Sequence, residues 1–146
     1  MAARFRAAID GASRGNPGPA AWAVAVLDDA GECAEGHSGL LGRATNNVAE
    51  YQALLAALKL AGERGAAEVE IQADSELIVR QITGAYRVRH PALKPLHLEA
   101  ARRIRGFASF RIRHVRRQEN AAADRLANVA LDRAEAEAPA AESGVR

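Results

Sequence analysis

The chain is organised around the stretch Ile9-Asp10-Gly11-Ala12-Ser13-Arg14-Gly15-Asn16-Pro17-Gly18-Pro19. An apolar, β-prone run precedes this stretch at 5–9, and a second one follows it at 20–27. The pattern predicts a strand that ends at Asp10, beside a glycine-rich loop whose backbone N–H groups can closely approach a phosphate or a sugar. Taken alone, the aspartate is explained equally well as the first residue of a turn.

The composition indicates one globular domain. The chain has 146 residues, of which 49% are hydrophobic and 26% are charged. The single cysteine, Cys33, excludes an intrachain disulfide and favours a reducing compartment. No apolar run approaches the roughly 18 residues that a membrane span needs, and no signal-peptide pattern opens the chain. We therefore expect a cytoplasmic protein, with a monomer as the default state for this size.

Basic residues concentrate between residues 80 and 117, although the net charge is only +2. Such a concentration favours a polyanionic partner, but it is also typical of a solvated helix face and an edge strand. The basic residues are Arg80, Arg87, Arg89, Lys94, Arg102, Arg103, Arg105, Arg111, Arg113, Arg116 and Arg117.

Hydrophobic periodicity predicts an α/β protein with the element order βββαβααβα. The first three strands, an antiparallel meander, are expected at 4–10, 20–28 and 32–41. Helical crossovers lead to two further strands, expected at 69–74 and 107–115 and parallel to their neighbours. The predicted helices span 47–63, 75–82, 92–104 and 120–134. The domain is thus predicted over 1–134 with a five-stranded mixed sheet, followed at 135–146 by an Ala/Glu-rich tail of low order.

Four carboxylates fall where predicted elements begin or end: Asp10, Glu50, Asp74 and Asp124. If the strands of Asp10 and Asp74 are parallel neighbours, all four can meet at one sheet edge, where α/β folds build their sites. Clustered carboxylates repel one another unless a cation neutralises them, and hard oxygen ligands favour Mg²⁺ or Mn²⁺. Two such ions about 4 Å apart can promote phosphodiester cleavage.

Each carboxylate also has an ordinary structural explanation. Glu50 has the spacing of a capping box with Asn47, and Asp74 is a plausible N-cap. Asp124 can stabilise the dipole of the last helix. The convergence of all four at one edge, rather than any single residue, favours a functional site.

Four segments of the chain carry specific motifs. They are Asp10 to Pro19, Thr45-Asn46-Asn47-Val48-Ala49-Glu50-Tyr51, Ala73-Asp74-Ser75 and Asn120-Ala121-Ala122-Ala123-Asp124-Arg125-Leu126-Ala127-Asn128. In this order and at this spacing they resemble type 1 ribonuclease H. The resemblance covers roughly residues 4–134.

This resemblance implies a ribonuclease H-like fold and hydrolysis of the RNA strand of RNA/DNA hybrids, leaving 5′-phosphate ends. It implies that the four carboxylates are catalytic and hold two ions, Mg²⁺ or Mn²⁺. The implied substrate contacts suit the 2′-hydroxyls displayed in the minor groove of the hybrid. They are Gly11, Asn16, Asn46, Asn47 and Asn120.

The chain departs from better-known members of that family at three places. Glu76 stands where many members have a glutamine, and an ionised carboxylate accepts hydrogen bonds but donates none. The segment 84–91 is too short for the basic handle of many bacterial members, and we expect Tyr86, Arg87, Arg89 and Lys94 to replace part of its electrostatics. Arg117 matches an auxiliary position that is often a histidine, whereas His114 fits the alternation of the last strand.

Two other functions stay open at this point. One is a nuclease of the same fold that prefers double-stranded RNA or another duplex. The other is a non-catalytic module that binds hybrids, although the presence of all four carboxylates argues against it.

Overall fold

The computed structural model of the protein describes residues 3–137. The strands are β1 (Arg4–Ser13), β2 (Gly18–Leu27), β3 (Cys33–Ala44), β4 (Glu68–Ala73) and β5 (Ser109–His114). The helices are α1 (Asn46–Glu63), α2 (Glu76–Thr83), α3 (Lys94–Ile104) and α4 (Ala121–Ala136), with a 3₁₀ turn at Arg117–Asn120.

The five strands form one mixed sheet in the spatial order β3-β2-β1-β4-β5. The pairs β1–β2 and β2–β3 are antiparallel, whereas β1–β4 and β4–β5 are parallel. This confirms the predicted α/β class, the element order and the division into a meander and two crossover strands.

Asp10 lies inside β1, so the predicted strand end at this residue is wrong. On one side, antiparallel pairing with β2 continues to Ser13↔Ala20. On the other side, parallel pairing with β4 ends at Ile9↔Ala73. Asp10 is therefore the first residue past the parallel ladder, with its strand still held by β2. The turn that follows is tight, and the backbone N–H of Arg14 donates to the carbonyl of Pro19 at 2.8 Å.

Helix α1 packs close to one face of the sheet because small side chains line its inner surface. Its alanines at a four-residue spacing are completely buried. Tyr51 fills space beside them and donates a hydrogen bond from its hydroxyl to Gln81 Oε1 at 2.6 Å. These buried alanines are Ala49, Ala53, Ala57 and Ala61.

Helix α4 covers the opposite face of the sheet. Ala123 packs there with Ala8 and Ala25, which point away from the face that α1 covers. A Cβ placed on Gly36 of β3 would lie 2.7 Å from a methyl group of Leu126, so the strand approaches the helix closely. Helices α1 and α4 thus sandwich the sheet.

Two helix boundaries differ from the prediction by two residues, and the other six by at most one. Helix α3 begins at Lys94 rather than 92, because residues 91–93 form a turn. Helix α4 ends at Ala136, so the first two residues of the predicted tail are helical. Glu137 follows as a turn residue, and 138–146 lie outside the described residues. Within residues 3–137, none of the helices combines the length and apolarity needed to cross a bilayer.

Candidate active site

Three carboxylates converge just past the parallel ends of β1 and β4. Each of Asp10, Glu50 and Asp74 offers a carboxylate oxygen, and these atoms all lie within 4.8 Å of one another. Asp10 and Glu50 are buried, and Asp74 is half-buried. The structure therefore brings together three of the four carboxylates that the sequence singles out.

Asp124 approaches the same site from α4. It lines the same open cavity, of about 470 Å³. The charge of Asp124 contributes to raising the pKa of Asp10. Asp124 is thus the member of the set that comes from the opposite face of the sheet.

Neither Glu50 nor Asp74 is needed to cap a helix, because other residues cap α1 and α2. Thr45 caps α1, because its hydroxyl oxygen accepts from the backbone N–H of Val48 at 3.2 Å. Ser75 caps α2 by accepting from the N–H of Ile78 at 3.3 Å. Since neighbouring residues cap both helices, the carboxylates of Glu50 and Asp74 are left to face the cavity.

Gly11 sets the distance between β1 and α1. Its backbone N–H donates a hydrogen bond to Glu50 Oε1. A Cβ at this position would lie 2.3 Å from the carbonyl carbon of Ala49 and from the nitrogen of Glu50. Only glycine permits this approach of one backbone to another.

The carboxylates destabilise one another's charged forms. Burial is the largest cause that raises the pKa of Asp10, to about 8, and the charges of Asp74 and Asp124 add to it. Burial, followed by the charges of Asp10 and Asp74, raises the pKa of Glu50 well above its ordinary value. Burial also raises the pKa of Asp74, although the charge of Arg117 opposes the shift. A bound cation would relieve this repulsion, and an all-oxygen donor set fits a hard divalent ion.

Two basic side chains flank the carboxylates. Arg117 lines the cavity with its side chain 81% exposed, and its Nη2 atom lies 3.9 Å from Asp124 Oδ1. His114 lies in β5, as the alternation of the last strand predicts, but it is exposed rather than packed inward. Its Nε2 atom lies 3.3 Å from the backbone oxygen of Asp74. The sequence favoured an ordinary strand residue at this position, and the structure places His114 beside the site.

The predicted asparagines occupy different environments. Asn46 and Asn47 line the cavity. Asn16 holds the β1–β2 turn against α1, because its Oδ1 accepts from the N–H of Asn46 at 3.0 Å. Asn120 is only 1% exposed and donates from Nδ2 to the carbonyl of Ile9 at 2.8 Å. Its predicted contact with substrate stays a prediction, while its amide already ties the start of α4 to β1.

The β1–β2 turn and α4 each bring one further residue to the cavity. Arg14 and Asn128 line the cavity, although neither was predicted as a site residue. Asn128 follows Asp124 by one helical turn, and that spacing is the signal that identifies it. Glu76, at the position where a glutamine is common, accepts from Arg80 on the exposed face of α2 at 2.9 Å.

A mixed five-stranded sheet with clustered carboxylates at the ends of its parallel strands is the architecture of ribonuclease H-like proteins. Comparison with known families agrees, since the family described as "Reverse transcriptase-like" matches residues 8–130. The chain is 49% identical over 131 residues to ribonuclease HI of Halobacterium salinarum, and the match covers 88% of this chain and 65% of that protein. The chain belongs to the type 1 ribonuclease H family.

Two further relatives define the extent of the similarity. A bifunctional protein of Mycobacterium tuberculosis is 44% identical over 127 residues, covering 86% of this chain but 35% of that protein. The crystal structure of LC11-RNase H1 in complex with an RNA/DNA hybrid superposes with a TM-score of 0.84 at 40% identity. That match covers 90% of this chain and 99% of the LC11 chain. The chain thus spans between a third and two thirds of the Halobacterium and Mycobacterium relatives.

Proposed function

We propose that this protein is an endoribonuclease that hydrolyses the RNA strand of RNA/DNA hybrids with divalent metal ions and leaves 5′-phosphate ends. The observation that carries the proposal is the cluster of Asp10, Glu50 and Asp74, whose carboxylate oxygens lie within 4.8 Å of one another in an open cavity. The family membership supports the same reaction, because LC11-RNase H1 was solved with such a hybrid.

Asp10, Glu50, Asp74 and Asp124 would hold the metal, which we propose to be two ions of Mg²⁺ or Mn²⁺. When bound, such ions supply a Lewis acid that promotes attack of water on the phosphodiester and stabilises the leaving oxygen. The buried position of Asp10 and Glu50 supports this assignment, since burial raises the pKa of both carboxyl groups and a bound cation would favour their ionised forms.

The chain's other residues would bind and orient the hybrid. The amides of Asn16, Asn46 and Asn47 can pair with 2′-hydroxyls, which both donate and accept. Arg117, exposed at the cavity rim, would contact a phosphate near the reacting bond. Gly11 would keep its backbone close to the hybrid while it holds Glu50 in place.

The first experiment measures cleavage of end-labelled RNA/DNA hybrid, double-stranded RNA and double-stranded DNA with Mg²⁺ or Mn²⁺. We expect cleavage of only the RNA strand of the hybrid, and its loss with EDTA and in Asp10→Asn. Asp29→Asn is the matched control, because Asp29 lies exposed in the β2–β3 turn. Full activity of Asp10→Asn would refute the assigned site.

Other outcomes of the same experiment favour other functions. Preferential cleavage of double-stranded RNA would indicate a same-fold nuclease with another duplex preference. Hybrid binding without cleavage with either metal would indicate a binding module. The cytoplasmic location and the monomeric state stay predictions, and sedimentation of the purified chain tests the latter.

A further inference from the structure

A chain of hydrogen bonds links the β1–β2 turn to Asp124. Arg14 donates from Nη2 to Asn128 Oδ1 at 3.4 Å and to the Asn128 carbonyl at 3.3 Å. Asn128 in turn donates from Nδ2 to Asp124 Oδ1 at 3.3 Å and to the Asp124 carbonyl at 3.0 Å. The contacts therefore run from a residue of the turn, through one amide, to a carboxylate of the site.

The guanidinium of Arg14 determines which way the amide of Asn128 faces. A guanidinium only donates hydrogen bonds, so the amide oxygen must face it. The amide nitrogen then faces Asp124, where a carboxylate only accepts. With the amide reversed, two donors would face each other at one end and two acceptors at the other. Arg14 thus makes Asn128 a donor toward Asp124.

Arg14 itself is held by α4. It donates to Asp132 Oδ1 at 2.7 Å and also to Glu135. Asp124, Asn128, Asp132 and Glu135 are spaced by three or four residues, so they lie along one face of the helix. The guanidinium therefore spans successive turns of α4 and is fixed in place without any ligand.

Asp124 needs such support because its neighbour repels it. Its charge and that of Asp10 oppose each other, while the Arg117 guanidinium lies 3.9 Å away on an 81% exposed side chain. Asn128 is built into a helix and offers a donor at fixed distance from the Asp124 backbone. This fixed donor opposes rotation of the Asp124 carboxylate away from Asp10.

We propose that Arg14 and Asn128 are positioning residues that hold the Asp124 carboxylate toward Asp10 for metal binding. This rests on the proposed metal-dependent function of the site. Groups that orient metal ligands typically contribute about 10- to 100-fold in metal affinity or activity. We therefore expect Asn128→Ala to weaken Mn²⁺ binding at least about tenfold, whereas the KM for hybrid stays near that of the wild type.

The test measures Mn²⁺ binding by calorimetry without nucleic acid, together with kcat and KM on hybrid. The variants are Asn128→Ala, Arg14→Gln and the double variant, with Val129→Ala as a control on the exposed side of α4. We expect the double variant to bind Mn²⁺ as weakly as Asn128→Ala, because both changes break the same chain of contacts. If Asn128→Ala does not fold, Arg14→Gln provides the same test, because Arg14 is partly exposed.

The outcomes separate the positioning role from the proposed function. Wild-type Mn²⁺ affinity in folded Asn128→Ala or Arg14→Gln would overturn the positioning role, even if the wild type cleaves hybrid. Weakened Mn²⁺ binding in a protein that cleaves no hybrid would support the positioning role and refute the proposed function. Failure of the wild type to bind Mn²⁺ would overturn both.

Discussion

The backbone N–H of Gly11 donates a hydrogen bond to the carboxylate of Glu50, where β1 passes α1. The two elements touch there through main-chain atoms, with no side chain between them. The position of Glu50 relative to Asp10 is therefore fixed by the two backbones. An added methyl group at this contact must displace the helix or the strand.

We expect Gly11→Ala to lower the free energy of unfolding by about 3 kcal/mol or more. Overpacking typically costs about 1–3 kcal/mol, and here the added methyl group would meet backbone atoms of α1. Hybrid cleavage is expected to fall with it. Urea unfolding and the cleavage assay check both effects. Gly62→Ala is the control: a methyl group placed there has nothing within 4 Å, and alanine in a helix is expected to add about 0.5–1 kcal/mol. A neutral Gly11→Ala would refute the close approach of the two backbones.

The metal-free protein is expected to lose stability as the pH rises from about 4 to about 8. Folding raises the pKa of Asp10 from 3.8 to about 8, so the folded state binds this proton more tightly than the unfolded state does. The stabilisation that this proton provides is complete below the pKa of Asp10 in the unfolded state. It is lost as the pH rises through the pKa of Asp10 in the folded state. One whole proton gives a slope of about 1.4 kcal/mol per pH unit.

Urea unfolding in EDTA at several pH values measures this slope. Asp10→Asn is expected to flatten it and to be more stable than the wild type at pH 8, because one repelling charge is gone. Asp29→Asn should keep the slope of the wild type. A wild-type stability that is constant or rises across this range would contradict the prediction.

Divalent metal is expected to reverse the effect of pH. Bound cations favour the ionised carboxylates, so Mg²⁺ or Mn²⁺ should stabilise the protein more at pH 8 than at pH 5. At a concentration about 100 times the Kd, binding adds about 2.7 kcal/mol. Thermal unfolding with and without metal checks this, and Asp10→Asn should respond less. An equal metal effect at both pH values would argue against binding to these carboxylates.

Arg117→Ala is expected to reduce hybrid cleavage about tenfold, since a hydrogen bond to a charged group contributes about 1.5 kcal/mol. Thermal stability should not change, because the side chain is 81% exposed. Arg116→Ala is a matched control, since its adjacent guanidinium pairs with Glu119 instead. If the two variants cleave hybrid at the same rate, Arg117 does not contribute to the proposed reaction.

The basic segment from Tyr86 to Lys94 is expected to bind the phosphate backbone of the hybrid. Combined substitution of Arg87, Arg89 and Lys94 by Ala should weaken hybrid binding. The slope of log affinity against log salt concentration should become shallower by about one unit for each phosphate that is no longer bound. Filter binding over a range of salt concentrations measures this. The control is Arg4→Ala with Arg64→Ala, because these residues lie where β1 begins and α1 ends. An unchanged slope in the triple variant would exclude the segment from the interface.

The sequence predicts the element order and the meeting of the carboxylates because both follow from local signals. The spacing of apolar residues distinguishes strands from helices. Asp74 ends the predicted strand that pairs with the strand of Asp10. Parallel pairing of β1 and β4 then places both carboxylates at one edge, as the structure confirms. Local patterns are sufficient wherever one element determines the position of a residue.

The end of β1 could not be predicted in the same way. Gly11, Ala12 and Ser13 have weak strand propensity, yet they are extended because β2 pairs with them. The helix cap posed a similar problem, since Thr45, Asn46 and Asn47 are all good candidates. Pairing with β2 decided the first case in favour of a longer strand, and in the second the hydroxyl of Thr45 caps the helix.

Contacts between distant parts of the chain were not accessible to sequence reasoning. Arg14 and Asn128 are 114 residues apart, and Asn120 reaches Ile9 across 111 residues. No periodicity relates such pairs. The sequence nevertheless indicated the segments that matter, since Arg14, Asn120 and Asn128 all lie within its motifs, without indicating how they touch.

The arrangement of α4 has a consequence for the order in which the site is completed during synthesis. Asp10, Glu50 and Asp74 lie within the first 74 residues, whereas Asp124 is delivered by the last helix from the other face of the sheet. A nascent chain growing from its N-terminus therefore holds an incomplete set of carboxylates until α4 has left the ribosome and docked. The proposed site is thus complete only once α4 has emerged and docked.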